Sequence, residues 1–195
     1  MKKLMKSIVL ATALTSTLLS AHTHAADYKV DVKGAHAFVQ FKIKHLGYSW
    51  LLGRFNTFDG NFNWDAKKPN NSAINIEIQT ASLDSNHAER DKHLKGRDFL
   101  NVKKFPTATF KSTRFIEEKD GDGYILTGDL TLKGITKSIS FDVEKVGEGI
   151  DPWGGYRVGF EGDVKLKLTD YGINYNLGPA SEWVEMALFI EGIKQ

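Results

Sequence analysis

Cysteine is absent from this 195-residue chain, which removes disulfide stapling, thiolate chemistry and a lipidated cysteine anchor together. Stability must come from an ordinary apolar core. An excess of positive charge is missing too: three of the 26 Lys+Arg residues, Lys2, Lys3 and Lys6, belong to a leader, which leaves 23 against 24 Asp+Glu in the rest. Without a net positive field nothing favours nucleic acid, whose binding rests on phosphate neutralisation, or an anionic membrane surface by net charge alone. Sequence signatures of common catalysts are missing as well. There is no Gly-x-Ser-x-Gly elbow, phosphate loop or dinucleotide fingerprint, and Asp120-Gly121-Asp122-Gly123 lacks the later ligands of a calcium loop, with Tyr124 at the third ligand position. No cofactor and no metal is expected.

What the chain does have begins with an address. Lys2, Lys3 and Lys6 form a positive n-region, Ser7 to Leu19 an apolar and small-residue stretch, and Thr23-His24-Ala25 a small-residue cleavage site. The apolar stretch is too short and too rich in Ser and Thr for a membrane anchor, which needs roughly 17 to 25 apolar residues. Residues 1–25 are thus read as a cleaved signal peptide, residues 26–195 as one domain, and the location as the periplasm.

That domain is written in strand alternation. Ala37, Val39, Phe41 and Ile43 alternate with Phe38, Gln40, Lys42 and Lys44, and the same period of two recurs at Phe58-Gly60-Phe62-Trp64 and Ile74-Ile76-Ile78. It returns from Thr107 to Phe115, from Tyr124 to Leu132, from Ile135 to Val143, from Tyr156 to Leu168 and from Val184 to Ile190. With a short opening strand at Tyr28-Val30, this predicts about eight further antiparallel strands, separated by Asp120-Gly121-Asp122-Gly123, Lys133-Gly134, Lys68-Pro69-Asn70-Asn71 and Gly178-Pro179. A sandwich would leave edges; a barrel removes them. The expectation is an all-β, single antiparallel eight-stranded barrel with a short helical insertion, wide enough to be filled by side chains or to hold one small ligand. Inward-phase residues are Phe41, Phe58, Phe62, Phe110, Leu126, Leu130, Phe141, Phe160, Val164, Met186 and Leu188. Gly60, Gly128 and Gly162 share that phase and mark either gaps on the inner wall or bends in the sheet.

The pattern breaks once, between Asn86 and Phe110. Asp84 or Asn86 can cap a helix, Glu89 stands three after Asn86 as in a capping box, and His87 to Gly96 reads as a short helix with a glycine stop. His87, Arg90, His93 and Arg97 would present donors to a phosphate or quinone oxygen, with His45 and Trp50 bordering the same opening. The competing reading pairs Arg90 with Asp91 or Asp98 and leaves the histidines to cap or pack. His87 with Asp91, or Glu89 with His93, could share a helix face as an acid/base pair or as ligands, but the two histidines are six apart and no third ligand is placed.

Several runs carry a family resemblance across the domain. His36-Ala37-Phe38 through Lys44-His45-Leu46-Gly47-Tyr48-Ser49-Trp50, Asn86 through Leu94 with Asp98-Phe99-Leu100, Phe105 through Phe110, and Gly128 through Lys137 resemble the YceI family of periplasmic proteins. Asp151-Pro152-Trp153-Gly154-Gly155 and Leu177-Gly178-Pro179-Ala180-Ser181 extend the likeness. The resemblance implies a lipocalin-like barrel whose elongated apolar cavity binds a polyisoprenoid or similar long-chain lipid, and a homodimer. The expectation is therefore a non-enzymatic lipid-binding protein, for transport or storage of a polyisoprenoid or quinone-like lipid, which meets a membrane or membrane protein transiently. The alternative is a periplasmic enzyme or partner-binding protein using residues 86–98.

Overall fold

A computed structural model describes residues 25–119, 121 and 123–195. The segment read as a signal peptide, apart from Ala25, lies outside the described residues, as do Asp120 and Asp122 of the expected tight turn. In chain order the strands are β1 (Ala26–Val30), β2 (Phe38–His45), β3 (Ser49–Phe55), β4 (Phe58–Trp64), β5 (Ala73–Gln79) and β6 (Leu83–Asp84). The helix α1 (Ala88–Leu94) follows, then β7 (Thr107–Glu117), β8 (Tyr124–Leu132), β9 (Ile135–Ile150), β10 (Tyr156–Lys167) and β11 (Trp183–Lys194).

These strands close on one another as an eight-stranded antiparallel barrel in which three staves are each made of two short strands. Strand β11 carries β2 along Val184 to Phe189 and β1 along Gly192 to Lys194. Strand β4 lies against β1 and β3 against β2; β5 then lies against β4 and β6 against β3. From β5 the ring continues through β7, β8, β9 and β10 back to β11. Closure leaves no exposed edge where the staves are complete.

Each broken stave has a local device that satisfies its backbone. At the break between β1 and β2, the Asp31 amide donates to Glu191 O (2.8 Å), and its carboxylate accepts from the Gly34 amide (2.9 Å) and contacts His36 Nδ1 (2.8 Å). Arg157 of β10 donates to Asp31 (2.6 Å), Asp151 (2.7 Å) and Glu191 (2.5 Å), so one guanidinium ties the break to two further parts of the wall. At the breaks on either side of β3 and β6, Asn56 donates its amide to Ser82 O (3.1 Å), and the Thr57 amide donates to Ser82 Oγ (3.0 Å). The buried Thr80 hydroxyl reaches the Phe105 carbonyl (2.7 Å).

Alternation sets which side chains fill the ring. Val39 and Phe41, Phe58, Phe62 and Trp64, Leu126 and Leu130, Phe141 and Val143, and Val164 and Leu166 are buried on the inward phase. Strands β3 and β6 were not anticipated by the alternation. Trp50 and Leu52 put apolar groups on the outer face of β3 beside inner Leu51 and Phe55, which erases the pattern, and β6 is only two residues long. The capping expectation for α1 is also corrected. Asn86 takes a left-handed conformation (φ 61°) and donates its amide to Asp84 Oδ1, leaving extended His87 (φ −156°) as the N-cap, its Nδ1 accepting from the Arg90 amide (3.3 Å).

Of the three inward glycines, Gly60 and Gly128 are occupied space, while Gly162 lines the inner chamber described below. A Cβ on Gly128 would stand 2.5 Å from Phe110 Cζ and 2.6 Å from the Lys111 carbonyl oxygen, and one on Gly60 would stand 2.6 Å from Asn75 O. Their missing side chains admit neighbours rather than ligand. Gly128 also lies opposite the irregularity between Ser112 and Arg114, so the bend and the close approach share one residue.

Candidate functional site

The barrel interior contains two chambers. The inner one, about 130 Å³, is walled by residues of the central staves, including Phe62, Ile76, Phe110, Phe115, Leu126, Phe141, Phe160, Val164 and Leu188. The second, about 380 Å³, lies toward α1 and is walled by Phe41, Ile43, Leu51, Phe55, Leu83, Leu94, Phe99, Leu100, Leu132, Leu168, Ile173, Leu177 and Val184 among others. Both walls share Ile78, Leu130, Leu166 and Met186, which form a waist between them. The second chamber has the volume of a ligand pocket, roughly 300–1,000 Å³. The inner one matches the space for a single ring-sized group, about 150 Å³.

Beyond the inner chamber, aromatic rings pack across the far pole. Trp64 meets Phe160, Tyr124 and Phe115 edge-on at centroid distances of 5.0, 5.5 and 5.9 Å, and its Nε1 donates to Glu148 Oε2 (2.9 Å). Phe62 stacks on Tyr28 at 5.0 Å. Such a cluster is well packed and has its polar handle satisfied, so it makes a firm floor.

The opposite pole is the mouth. Leu46 and Tyr175 are exposed and line the second chamber with His45, Arg90 and His93. Helix α1 is hung over it by a serine: Ser85 donates its amide (2.8 Å) and hydroxyl (2.5 Å) to Asp91 Oδ1, while Arg90 donates through Nε to Ser85 Oγ (2.8 Å) and through Nη2 to Ser85 O (2.5 Å). His93 is packed edge-on against Phe99 (5.0 Å) and Tyr175 (5.1 Å), with Asp98 3.9 Å from its Nε2. Ser181 donates to Lys44 O (2.5 Å) and holds the end of β2 at the rim.

Of the inward residues anticipated from alternation, Phe62, Phe110, Leu126, Leu130, Phe141, Phe160, Val164, Met186 and Leu188 line the inner chamber and Phe41 the second. Phe58 is buried in the surrounding core and lines neither. Of the rim residues, His45, Arg90 and His93 stand at the second chamber. Trp50, His87 and Arg97 do not. Trp50 lies on the outer face of β3 under the ammonium groups of Lys42 (4.9 Å) and Lys44 (4.6 Å), His87 caps α1, and Arg97 is exposed beyond it. Arg90 is bonded to Ser85 rather than to Asp91 or Asp98, because Ser85 stands between Arg90 and Asp91 and engages both. Leu83, Leu100, Ile173 and Leu177 of the second chamber went unread. They lie in short or irregular segments, where period two gives no phase.

One titratable cluster lies elsewhere. Asp31, His36 and Glu191 have ligand atoms within 4.8 Å of one another, but Arg157 already donates to both carboxylates. His36 and then Arg157 hold Asp31 down to about 2 against the opposing effect of burial, and the three carboxylates hold Arg157 well above its ordinary range. The guanidinium supplies the positive charge that a cation would.

The geometry can be set beside known proteins. Residues 28–191 match the family described as YceI-like domain. A UPF0312 protein of Pseudomonas aeruginosa is 54% identical over 193 residues, covering 98% of this chain and 100% of that protein. The crystal structure of a Campylobacter jejuni YceI protein superposes with a TM-score of 0.70 at 27% identity, over 78% of this chain and 90% of that one. A domain from Saccharophagus degradans, described as a polyisoprenoid binding domain implicated in plant cell wall breakdown, has the same fold at a TM-score of 0.63 and 14% identity, over 88% of this chain and 100% of that one. A family match across nearly all of the barrel, with a relative identical at more than half of its positions, means that the chain belongs to the YceI family.

Proposed function

We propose that this protein is exported to the periplasm and there holds a polyisoprenoid or similar long-chain lipid, such as a prenylated quinone, with its tail running from the second chamber through the waist into the inner one. The observation that carries the reading is the pair of apolar chambers meeting at Ile78, Leu130, Leu166 and Met186. Two lobes in line suit a long flexible tail better than a compact ligand. Burial at about 0.8 kcal/mol per methylene lets a tail dominate affinity without a strong head contact. Ordering the tail consumes part of that gain, and affinity saturates near about −18 to −21 kcal/mol. The S. degradans domain's description as polyisoprenoid binding supports the same ligand class.

A carrier role follows the same reading, with transient membrane contact at the mouth. The β2 to β3 hairpin beside it exposes Leu46, Tyr48, Trp50 and Leu52, with Lys42 and Lys44 flanking Trp50, a composition suited to the interface of an anionic bilayer. At the other pole Val146, Ile150 and Trp153 are exposed on the β9 to β10 hairpin, which supports a homodimer; sedimentation velocity tests it.

The test of the ligand is native mass spectrometry of protein purified from its own host, followed by organic extraction. A stoichiometric prenyl lipid or quinone is expected. An empty protein that also fails to take up added prenyl lipids would overturn the proposal. Transfer between vesicles then separates carrier from storage protein: a storage protein binds the lipid without moving it.

A further inference from the structure

Outward-facing side chains of four neighbouring strands form one row across the barrel wall. Lys167 of β10 pairs with Trp183 of β11; Lys44 of β2 follows one step past the pair of Ile43 with Val184, which sets it beside Trp183; and Lys44 pairs with Trp50 of β3. The row reads cation, indole, cation, indole, and spans roughly 14 Å at the usual strand spacing. A second row, Lys165, Glu185, Lys42 and Leu52, runs beside it in the same register. Both indoles carry ammonium groups over their rings: Lys44 and Lys42 lie 4.6 and 4.9 Å from the Trp50 centroid, and Lys167 lies 5.8 Å from that of Trp183. Trp50, Trp183 and Leu52 are nonetheless exposed, at 41, 48 and 65%. Glu185 takes ion pairs from Lys42 and Lys165, each at 3.1 Å, and Glu182 stands 3.8 Å from Lys167. Four lysines against two glutamates leave the patch positive, on a domain whose acids outnumber its lysines and arginines.

A positive, indole-bearing sheet face fits an anionic surface, and its other groups say which kind. A sugar stacks on an open ring face, but lysine ammonium groups already lie over both indoles. Leu52, with Leu46 and Tyr48 beyond it on the turn between β2 and β3, continues the face with exposed apolar groups that a glycan has no use for. At a membrane the same groups have matching places. Indoles and leucines reach the boundary between headgroups and acyl chains, and lysine stems lie along them with the ammonium at the lipid phosphates. The occupant that fits is a bilayer carrying anionic lipid.

We propose that the outer faces of β3, β2, β11 and β10 together dock on an anionic bilayer, so that the barrel lies on its side with Trp183 and Lys167 in contact as well as the hairpin. This rests on the carrier reading and deepens it, from a hairpin that touches the membrane to a four-strand face that sets the orientation of the whole barrel. Lys44 and Leu46 also line the second chamber, so docking by this face brings the mouth to the lipid surface.

The test is co-sedimentation of the intact mature protein with vesicles of phosphatidylcholine alone and of phosphatidylcholine with phosphatidylglycerol. The wild type is expected to bind the anionic vesicles, less so as salt rises. Lys167→Gln should weaken that binding about fivefold, from one lost cation near the surface, and Trp183→Ser by on the order of tenfold, from lost apolar area. Trp153→Ser, at the other pole, should bind as the wild type does. Uptake of dispersed geranylgeraniol should be unchanged in Lys167→Gln and Trp183→Ser, which shows that both are folded. Binding that falls in Trp50→Ser but not in Trp183→Ser or Lys167→Gln would mean docking by the hairpin alone and overturns the four-strand face. No vesicle binding by a wild type that still takes up geranylgeraniol overturns the docking and leaves the lipid-holding reading standing. A wild type that takes up no prenyl lipid overturns that reading instead, and the vesicle result still decides the docking face. Equal binding to both kinds of vesicle takes anionic lipid out of the contact and overturns the proposal, as does Trp183-dependent binding of a soluble acidic polysaccharide by a protein that ignores vesicles.

Discussion

Arg90 and Arg157 carry the same guanidinium into opposite circumstances. Arg157 is saturated by Asp31, Asp151 and Glu191, whereas Arg90 is turned by a serine and left facing a cavity mouth. The first arrangement is structural and makes a prediction about stability. Because Asp31 is held down to about 2 in the fold and lies near about 3.9 unfolded, its contribution is fully present above pH 4 and is lost as pH falls through 2. Thermal melts should therefore show stability falling between about pH 4 and pH 2, and Asp31→Asn should flatten that slope. A slope unchanged in Asp31→Asn would assign acid lability to other carboxylates. Arg157→Met leaves Asp31 buried without its cationic partner and should cost about 2–3 kcal/mol in urea denaturation at neutral pH. The alternation never identified this network, since Asp31, Arg157 and Glu191 are far apart in the chain and the pairing of β11 with both β1 and β10 brings them together.

At the scale of elements, the broken staves explain both a success and a miss of the sequence pattern. Long strands such as β8 and β10 alternate without interruption, so their inward residues could be assigned before any coordinates, and Leu126, Leu130, Phe160 and Val164 do line the inner chamber. Strand β3 hides its phase because its outer face is apolar, and that same face is the surface proposed to touch a membrane. Replacing Trp50 and Leu52 together with serine should slow lipid transfer from anionic vesicles by on the order of tenfold, from the loss of buried apolar area, while leaving affinity for dispersed lipid unchanged. A parallel fall in both quantities would mean that the hairpin supports the chamber rather than the docking step. The helix was legible as an interruption, yet its cap was not. Asn86 has the right chemistry for the position, but the Asx turn closed by Asp84 places it in the left-handed region and hands the cap to His87.

For the whole molecule, the waist is the decisive feature. Met186 is the most flexible of the four side chains shared by the two chambers, so the connection between them depends on its rotamer. Met186→Trp should close the passage. A geranyl phosphate, short enough for the second chamber, would then keep its affinity, while a geranylgeranyl phosphate loses about tenfold or more because its tail end can no longer be buried. Isothermal titration of both probes against the variant checks this, with a melt to show that overpacking has not unfolded it. Equal losses for the two tails would mean that they occupy one chamber only.

The amino-acid sequence by itself determined the strand content, the inward phase of the long strands and the position of the helical insertion, because alternation and turn residues act over a few neighbouring residues. It also carried the runs by which the family is recognised. Only the tertiary structure decided that three staves are composite, that Gly60 and Gly128 receive neighbouring atoms instead of leaving room, and that the interior divides at Ile78, Leu130, Leu166 and Met186. It likewise decided which of the basic rim residues face the chamber. Those outcomes depend on how distant strands meet and on which side chains reach the same volume, and no local pattern records that.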